Sequence, residues 1–268
     1  MSRRGLSQPR GVGALAAMGL ALVAFPLLAI VIRQPWSGLW RAISAESSLD
    51  ALLLSLRTST FTTAVVFVIG LPLAWVLARS TRRLMSIVRA ICVLPMVLPP
   101  VVGGVALLYA FGRNGVVGGA LNDWLGIRLA FTETAVVLSQ FFVAAPFFIV
   151  VMESAFQQID NRLMGAARTL GAGPWYTLRR VVLPIAKPSL VAGLVLTWAR
   201  ALGEFGATIT FAGNTPGRTQ TLPLAIYSAL ESGDDAALAL SFLMMVLSLL
   251  ILVGLRDKWL PALRRSTT

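Results

Sequence analysis

Gly165-Ala166-Ala167-Arg168-Thr169-Leu170-Gly171, with Leu183-Pro184 following after a second short piece, lies in the polar interval 153–188 of a very apolar chain. Asp160 can cap a helix start. Leu163, Ala166, Ala167 and Leu170 then recur at i, i+3, i+4 and i+7, the spacing of one helical face. Gly171 can end that helix, and Gly173-Pro174 breaks the chain again. In the next piece Trp175, Leu178 and Val182 share one side, with Tyr176, Arg179 and Arg180 outside that stripe. The spacing predicts a helix, a turn and a helix outside a bilayer. Its small-residue ridge suits close approach by another protein; a surface helix lying in the headgroups has the same pattern.

Outward from this stretch the composition is that of a membrane protein. Of 268 residues, 57% are hydrophobic and 13% charged, against an apolar share of roughly 45–50% in soluble domains. The net charge of +12 suits basic loops that hold a membrane protein in its orientation. No aromatic-basic interleaving of the kind that grips single-stranded nucleic acid accompanies it, so no nucleic-acid partner is expected. Histidine is absent and Cys92 is the only cysteine. That excludes a His/Cys metal site, an internal disulfide and a histidine-assisted nucleophile. The only lysines, Lys187 and Lys258, precede Pro188 and Trp259, so there is no G-x-x-x-x-G-K-[ST] phosphate loop. No catalytic or metal-binding residue is expected.

A spanning helix needs roughly 20 apolar residues. Six segments qualify: 11–32, 58–78, 90–111, 134–152, 189–212 and 236–255. The first exceeds the roughly 7–15 apolar residues of a signal-peptide core and is expected to be retained. The third carries Pro95, Pro99, Pro100, Gly103 and Gly104, which suits a broken helix lining a protein interior or water-filled path, or a kinked packing helix. Residues 33–57 read as mixed, with Trp36 and Trp40 suited to an interface belt, and 112–132 and 213–235 as outer loops. The loops on the side of the termini hold 16 Lys/Arg against 6 on the other side. That asymmetry puts both termini and the 153–188 loop in the cytoplasm. The expected organisation is all-α: an N-terminal cytoplasmic tail 1–10, a six-helix transmembrane domain 11–255, and a C-terminal cytoplasmic tail 256–268.

The fifth segment has the strongest intramembrane signal. Arg200 and Glu204 are four apart and can meet on one helical face. Each alone would cost roughly 2.5–3.5 kcal/mol at a helix centre, with Glu taken by analogy to Asp. Either this face lines a path or its gate, with Gly206 and Thr208 beside the pair, or the two charges neutralise each other at a packing interface. With an anionic substrate, an ionised Glu204 would restrain Arg200 or repel anions from a closed gate. In the loop from Gly213 to Pro223, the donors Asn214, Arg218, Thr219 and Thr221 suit an oxyanion, a docked partner or a solvated turn.

The spacing E-A-A-x3-G-x9-I-x-L-P is the signature of the membrane subunits of bacterial ABC importers. The present chain resembles it through Gly165, Ala166, Ala167, Gly171, Val181, Leu183 and Pro184, with Gly165 where the family carries glutamate and Val181 for isoleucine. Three further segments resemble the molybdate/tungstate permease family, close kin to the sulfate/thiosulfate permeases: Leu94 to Gly112 with Leu98-Pro99-Pro100, Ala199 to Thr208, and Ala212 to Pro223. The resemblance implies an ABC permease subunit, active as a homodimer in a bacterial cell membrane and importing molybdate or tungstate. It implies that Gly165, Ala166, Ala167, Arg168, Leu170, Gly171, Leu183 and Pro184 form a coupling helix docked on a cytoplasmic pair of ATPase subunits. Pro99, Pro100, Arg200, Glu204, Gly206 and Thr208 are the residues expected at the pathway or gate. An extracytoplasmic oxyanion-binding protein would deliver substrate, and ATP-Mg would bind the partner ATPase, with no cofactor in this chain. A sulfate permease is the alternative within the family. A gradient-driven transporter would need several intramembrane acids, and only Glu204 is expected well inside a span.

Overall fold

The computed structural model describes residues 10–254. The two tails expected at 1–10 and 256–268 therefore lie almost wholly outside the described residues. Those residues form α1 (Arg10–Arg33), α2 (Trp36–Ser44), α3 (Glu46–Arg79), α4 (Arg83–Val97), α5 (Pro100–Phe111), α6 (Val116–Leu125) and α7 (Glu133–Gln157). The chain continues as α8 (Asn161–Thr169), α9 (Pro174–Thr177), a π-helical segment (Leu178–Val182), α10 (Leu183–Leu202), α11 (Gly206–Phe211), α12 (Leu222–Glu231) and α13 (Ala236–Gly254). No strand occurs among the described residues. Among the described residues, five helical stretches are long and apolar enough to cross a bilayer, and Ala236–Ile251 is a shorter apolar helix.

The centre is α7, held between α3 and α10. Lipid offers no hydrophobic drive between helices, so small residues and hydrogen-bonding side chains must bring them together. On α3 they recur at helical spacing: Ala51, Ser55, Thr58, Ser59, Thr62, Val66, Gly70, Ala74 and Leu77 are all buried. Gln140 of α7 donates to Thr58 Oγ1 at 3.1 Å and accepts from Thr62 Oγ1 at 3.0 Å. Deeper in, the fully buried Phe148 ring fits between two glycines. A Cβ on Gly70 would stand 3.0 Å from its Cδ1, and one on Gly193 3.2 Å from its Cδ2. Phe148 thus joins α3, α7 and α10 at one point.

Several expected boundaries move. The second span begins at Glu46, not 58, because Ser48 and Ser55, in the interval read as mixed, are buried helix-packing residues. The third is two helices. Leu98 and Pro99 each precede a proline and take extended ψ values of 137° and 133°, so α4 stops and Pro100 starts α5. The fourth continues to Gln157, which brings Glu153 inside α7. The fifth begins at Pro174 rather than 189 and breaks after Leu202. The intervals 112–132 and 213–235, expected as outer loops, contain α6 and α12, and Leu222 and Leu224 of α12 are buried.

The two interrupted helices pack on each other. A Cβ on Gly104 of α5 would lie 2.6 Å from Thr210 Cβ and 2.9 Å from the Ala207 carbonyl oxygen of α11. A Cβ on Gly206 would lie 2.6 Å from Pro100 Cβ. Gly104→Ala must displace backbone and is expected to cost about 1–3 kcal/mol. In thermal unfolding of the detergent-solubilised protein it should lower the apparent Tm by several degrees. Gly119→Ala, whose Cβ meets only the Arg113 carbonyl oxygen at 3.5 Å, should leave Tm unchanged. Equal Tm values for the two variants would contradict this packing.

Candidate functional site

The 153–188 interval forms an elbow. Asp160 Oδ1 accepts from the Arg162 amide at 2.8 Å, capping α8 as its sequence predicts. At the other end the Gly171 amide donates to the Arg168 carbonyl (2.9 Å) and the Ala172 amide to the Ala167 carbonyl (2.9 Å). Gly171 takes φ +80°. This is a Schellman ending, which needs a residue without Cβ at that position. The expected apolar stripe divides. Met164 packs on the core cluster and Ala167 is buried, whereas Leu163, Ala166 and Leu170 face outward, Leu170 with 88% of its surface exposed. Gly165 is also exposed, and a Cβ there would meet nothing within 4 Å. Ala167 therefore belongs to the inner side of α8, not to the outward ridge.

The second short piece is not separate from the membrane helix. α9, the π-helical segment and α10 run on without interruption. The Leu183 amide reaches the Leu178 carbonyl, an i to i−5 bond that widens the turn. Pro184 lacks an amide hydrogen and its ring would crowd the carbonyl four residues back, so a widened turn here accommodates it. Pro184 is exposed and Leu183 half-buried. Leu178 and Val182 pack inward as their spacing predicts, but Trp175 is exposed.

At the other break, Arg200 Nη1 lies 2.7 Å from Glu204 Oε2. The approach angle does not make a hydrogen bond, so the contact is Coulombic. The two do not share a continuous helix: α10 ends at Leu202, and Glu204 sits in the break. Its Oε1 accepts from the Ala207 amide at 2.8 Å, holding the start of α11. Glu204 is 1% exposed, while Arg200 keeps 27% of its side chain accessible. Pro99 and Pro100 are exposed, and Pro100 packs on Gly206. The hydroxyl of the buried Thr208 has no hydrogen-bond partner. The geometry thus brings Pro100 and Gly206 into contact, pairs Arg200 with Glu204, and leaves one cation partly open.

The loop from Gly213 to Pro223 is mostly turned on itself. Thr219 is fully buried, its Oγ1 accepting from the Thr215 amide at 3.0 Å. Asn214 Nδ2 donates to Ser228 Oγ at 2.8 Å. Thr221 is buried next to Leu222, whose amide donates to Ser55 Oγ of α3 at 2.7 Å. Of the four expected donors only Arg218 is exposed.

A second buried acid was not legible as such. Glu153, assigned to a loop, is inside α7 and accepts from Arg89 Nε at 2.6 Å and from Gln157 Nε2 at 3.1 Å. Arg57 pairs with Glu133 at the other end of α7. No cluster of metal-binding residues occurs among the described residues.

Comparison with known proteins places these features. The family model described as binding-protein-dependent transport system inner membrane component matches residues 70–265. The molybdenum transport system permease protein ModB of Mycobacterium tuberculosis is 48% identical over 246 residues, covering 92% of this chain and 93% of that protein. ModB of Escherichia coli K12 is 38% identical over 225 residues, covering 83% and 97%. Among solved structures, a bacterial ABC transporter involved in the import of the acidic polysaccharide alginate superimposes with TM-score 0.70 at 20% identity, covering 95% of this chain and 96% of that one. An inward-facing form of the MetNI methionine ABC transporter gives TM-score 0.56 at 22% identity, covering 82% and 95%.

Proposed function

This chain belongs to the family of binding-protein-dependent transport system inner membrane components, and from that premise we propose that it is the membrane-spanning subunit of an ATP-driven importer of molybdate or tungstate. The observation that carries the reading is α8: a helix capped at both ends, slung between two membrane helices, with its small and apolar residues Gly165, Ala166 and Leu170 turned outward. Such a helix serves a partner rather than this chain's own core. The substrate class comes from the ModB relatives, which align over most of this chain.

In this reading α8 docks on a cytoplasmic ATPase subunit, and ATP-Mg is bound and hydrolysed there. This chain is a transport subunit without catalytic residues of its own. Three connections carry movement of α8 into the membrane. It follows α7 directly. Arg79 at the end of α3 donates to Asn161 Oδ1 at 2.7 Å. The 171–173 turn leads into the helix that ends at the Arg200–Glu204 break. From Leu183 to Arg200, α10 spans roughly 26 Å, so rocking at the elbow becomes displacement at the break.

The loops richer in Lys/Arg, including the elbow, face the cytoplasm with both termini, and the outer loops meet an extracytoplasmic binding protein. The subunit acts as a homodimer. α1 has none of its spanning window buried by this chain, which suits packing on a second copy. Against a gradient-driven mechanism, the buried acids among the described residues, Glu153 and Glu204, are each paired with an arginine.

Competition tests the substrate. Cells expressing the transporter should take up labelled molybdate, with tungstate competing at similar concentration and sulfate only in large excess. Sulfate competing as well as tungstate would move the assignment to the sulfate branch.

A further inference from the structure

A groove of about 1230 Å³ runs between α3, α8 and the α9 elbow, larger than the roughly 300–1,000 Å³ of small-molecule pockets. Its wall on α3 runs from Phe67 through Leu71 and Trp75 to Arg79. That is about 18 Å along the helix, a little over half the roughly 30 Å hydrocarbon thickness, or one leaflet. The apolar part of the groove is thus as deep as one layer of acyl chains.

The mouth is basic. Two Trp–Arg pairs at i, i+4 line it: Arg79 stacks 4.8 Å over the Trp75 ring, and Arg179 lies 5.8 Å over the Trp175 ring. Arg168 of α8 lines it as well, and the lining contains no acidic residue. Neither Arg168 nor Arg179 makes an ion pair among the described residues, and Arg79 Nε is buried without a hydrogen-bond partner. Tryptophans at the interface, arginines at headgroup level and an apolar wall one leaflet deep are the chemistry of an anionic phospholipid site.

We propose that this groove holds an anionic phospholipid, its phosphate between Arg79, Arg168 and Arg179 and an acyl chain along Phe67, Leu71 and Trp75. The placement in the inner leaflet rests on the cytoplasmic assignment of the elbow. Charge argues against the other occupants. The α1 helix of a second copy carries no acid and has an arginine at each end, so it would bring like charge to the basic mouth. Of the outward residues of α8 proposed for the ATPase, Ala166 and Leu170 are absent from the groove lining while Gly165 and Arg168 belong to it, so the groove adjoins that surface without coinciding with it. A lipid here touches Gly165 and Arg168 of α8, and the charge of the membrane would then tune coupling.

The test uses the full chain co-purified with its ATPase subunit and exchanged into nanodiscs of equal phosphatidylglycerol and phosphatidylcholine. Native mass spectrometry then counts the retained lipids. The wild type should retain phosphatidylglycerol over phosphatidylcholine by at least about fivefold. Arg179→Gln should lower that ratio about fivefold, and Val68→Trp, filling the wall, should lower retention of both lipids. A photo-crosslinking phenylalanine analogue in place of Val68 should capture lipid. Equal retention of the two lipids, an unchanged ratio in Arg179→Gln, or capture of a second copy of this chain or of the ATPase would overturn the proposal. Molybdate uptake is recorded on the same complex reconstituted with the binding protein in proteoliposomes of the same lipid composition. Absent uptake with lipid preference intact counts against the transport reading alone, and intact uptake without lipid preference against the lipid site alone.

Discussion

Arg200→Ala is expected to remove most folded, active subunit from the membrane. Glu204 is 1% exposed, and Arg200 is its one ionic partner among the described residues. Removing the guanidinium leaves a buried carboxylate uncompensated, at a cost of about 3–5 kcal/mol, a large part of the roughly 5–15 kcal/mol that holds a domain together. The second site of the pair sharpens the test. Glu204→Gln removes the charge but keeps an oxygen that can accept from the Ala207 amide, a bond now 2.8 Å long. Glu204→Ala removes the charge and that bond together, about 1 kcal/mol worse. Arg200→Ala/Glu204→Gln should therefore recover most of the protein, and Arg200→Ala/Glu204→Ala less. Detergent-extracted monodisperse yield and uptake measure both. Additive losses in the double variants would show that the two side chains do not act as a pair.

Leu170→Asp is expected to abolish coupling while leaving the subunit folded. With 88% of its surface exposed, Leu170 contributes little to the fold of this chain. In a docked interface it would bury about 1.5–3 kcal/mol of apolar contact. The aspartate would lose that contact and bring an unpaired carboxylate into the interface, so affinity for the ATPase should fall more than about 100-fold. Transport and transport-stimulated ATP hydrolysis should both disappear, with an unchanged melting temperature. Unchanged uptake would mean that α8 is not the docking helix. Gly165→Glu, which installs the residue carried by the resembling family, has open space around it and should be tolerated.

Local chemistry was legible in the sequence where short-range rules decide the structure. Asp160 caps α8 and Gly171 ends it because caps depend on a few neighbouring residues. The Arg200–Glu204 pair forms at its expected separation of four, although a break in the helix replaces the continuous face. What failed needed tertiary information. Glu153 reads as a loop residue from its neighbours, and its place inside α7 depends on Arg89, 64 positions earlier, which pairs with it. Ser48 and Ser55 make the start of α3 read as part of a mixed interval, whereas buried hydroxyls are the adhesive between helices in lipid. Glycine density in 112–132 and the polar residues of 213–235 hid α6 and α12. The stripe on α8 divided because equal spacing cannot say whether Ala167 meets its own chain or a partner.

The most direct test of the transport reading is reconstitution of this chain in proteoliposomes with the ATPase subunit and the binding protein, with labelled molybdate outside and ATP enclosed. The account predicts uptake that requires all three components and stops when ATP is replaced by a non-hydrolysable analogue. Uptake by this chain alone, driven by an ion gradient without ATP, would contradict it.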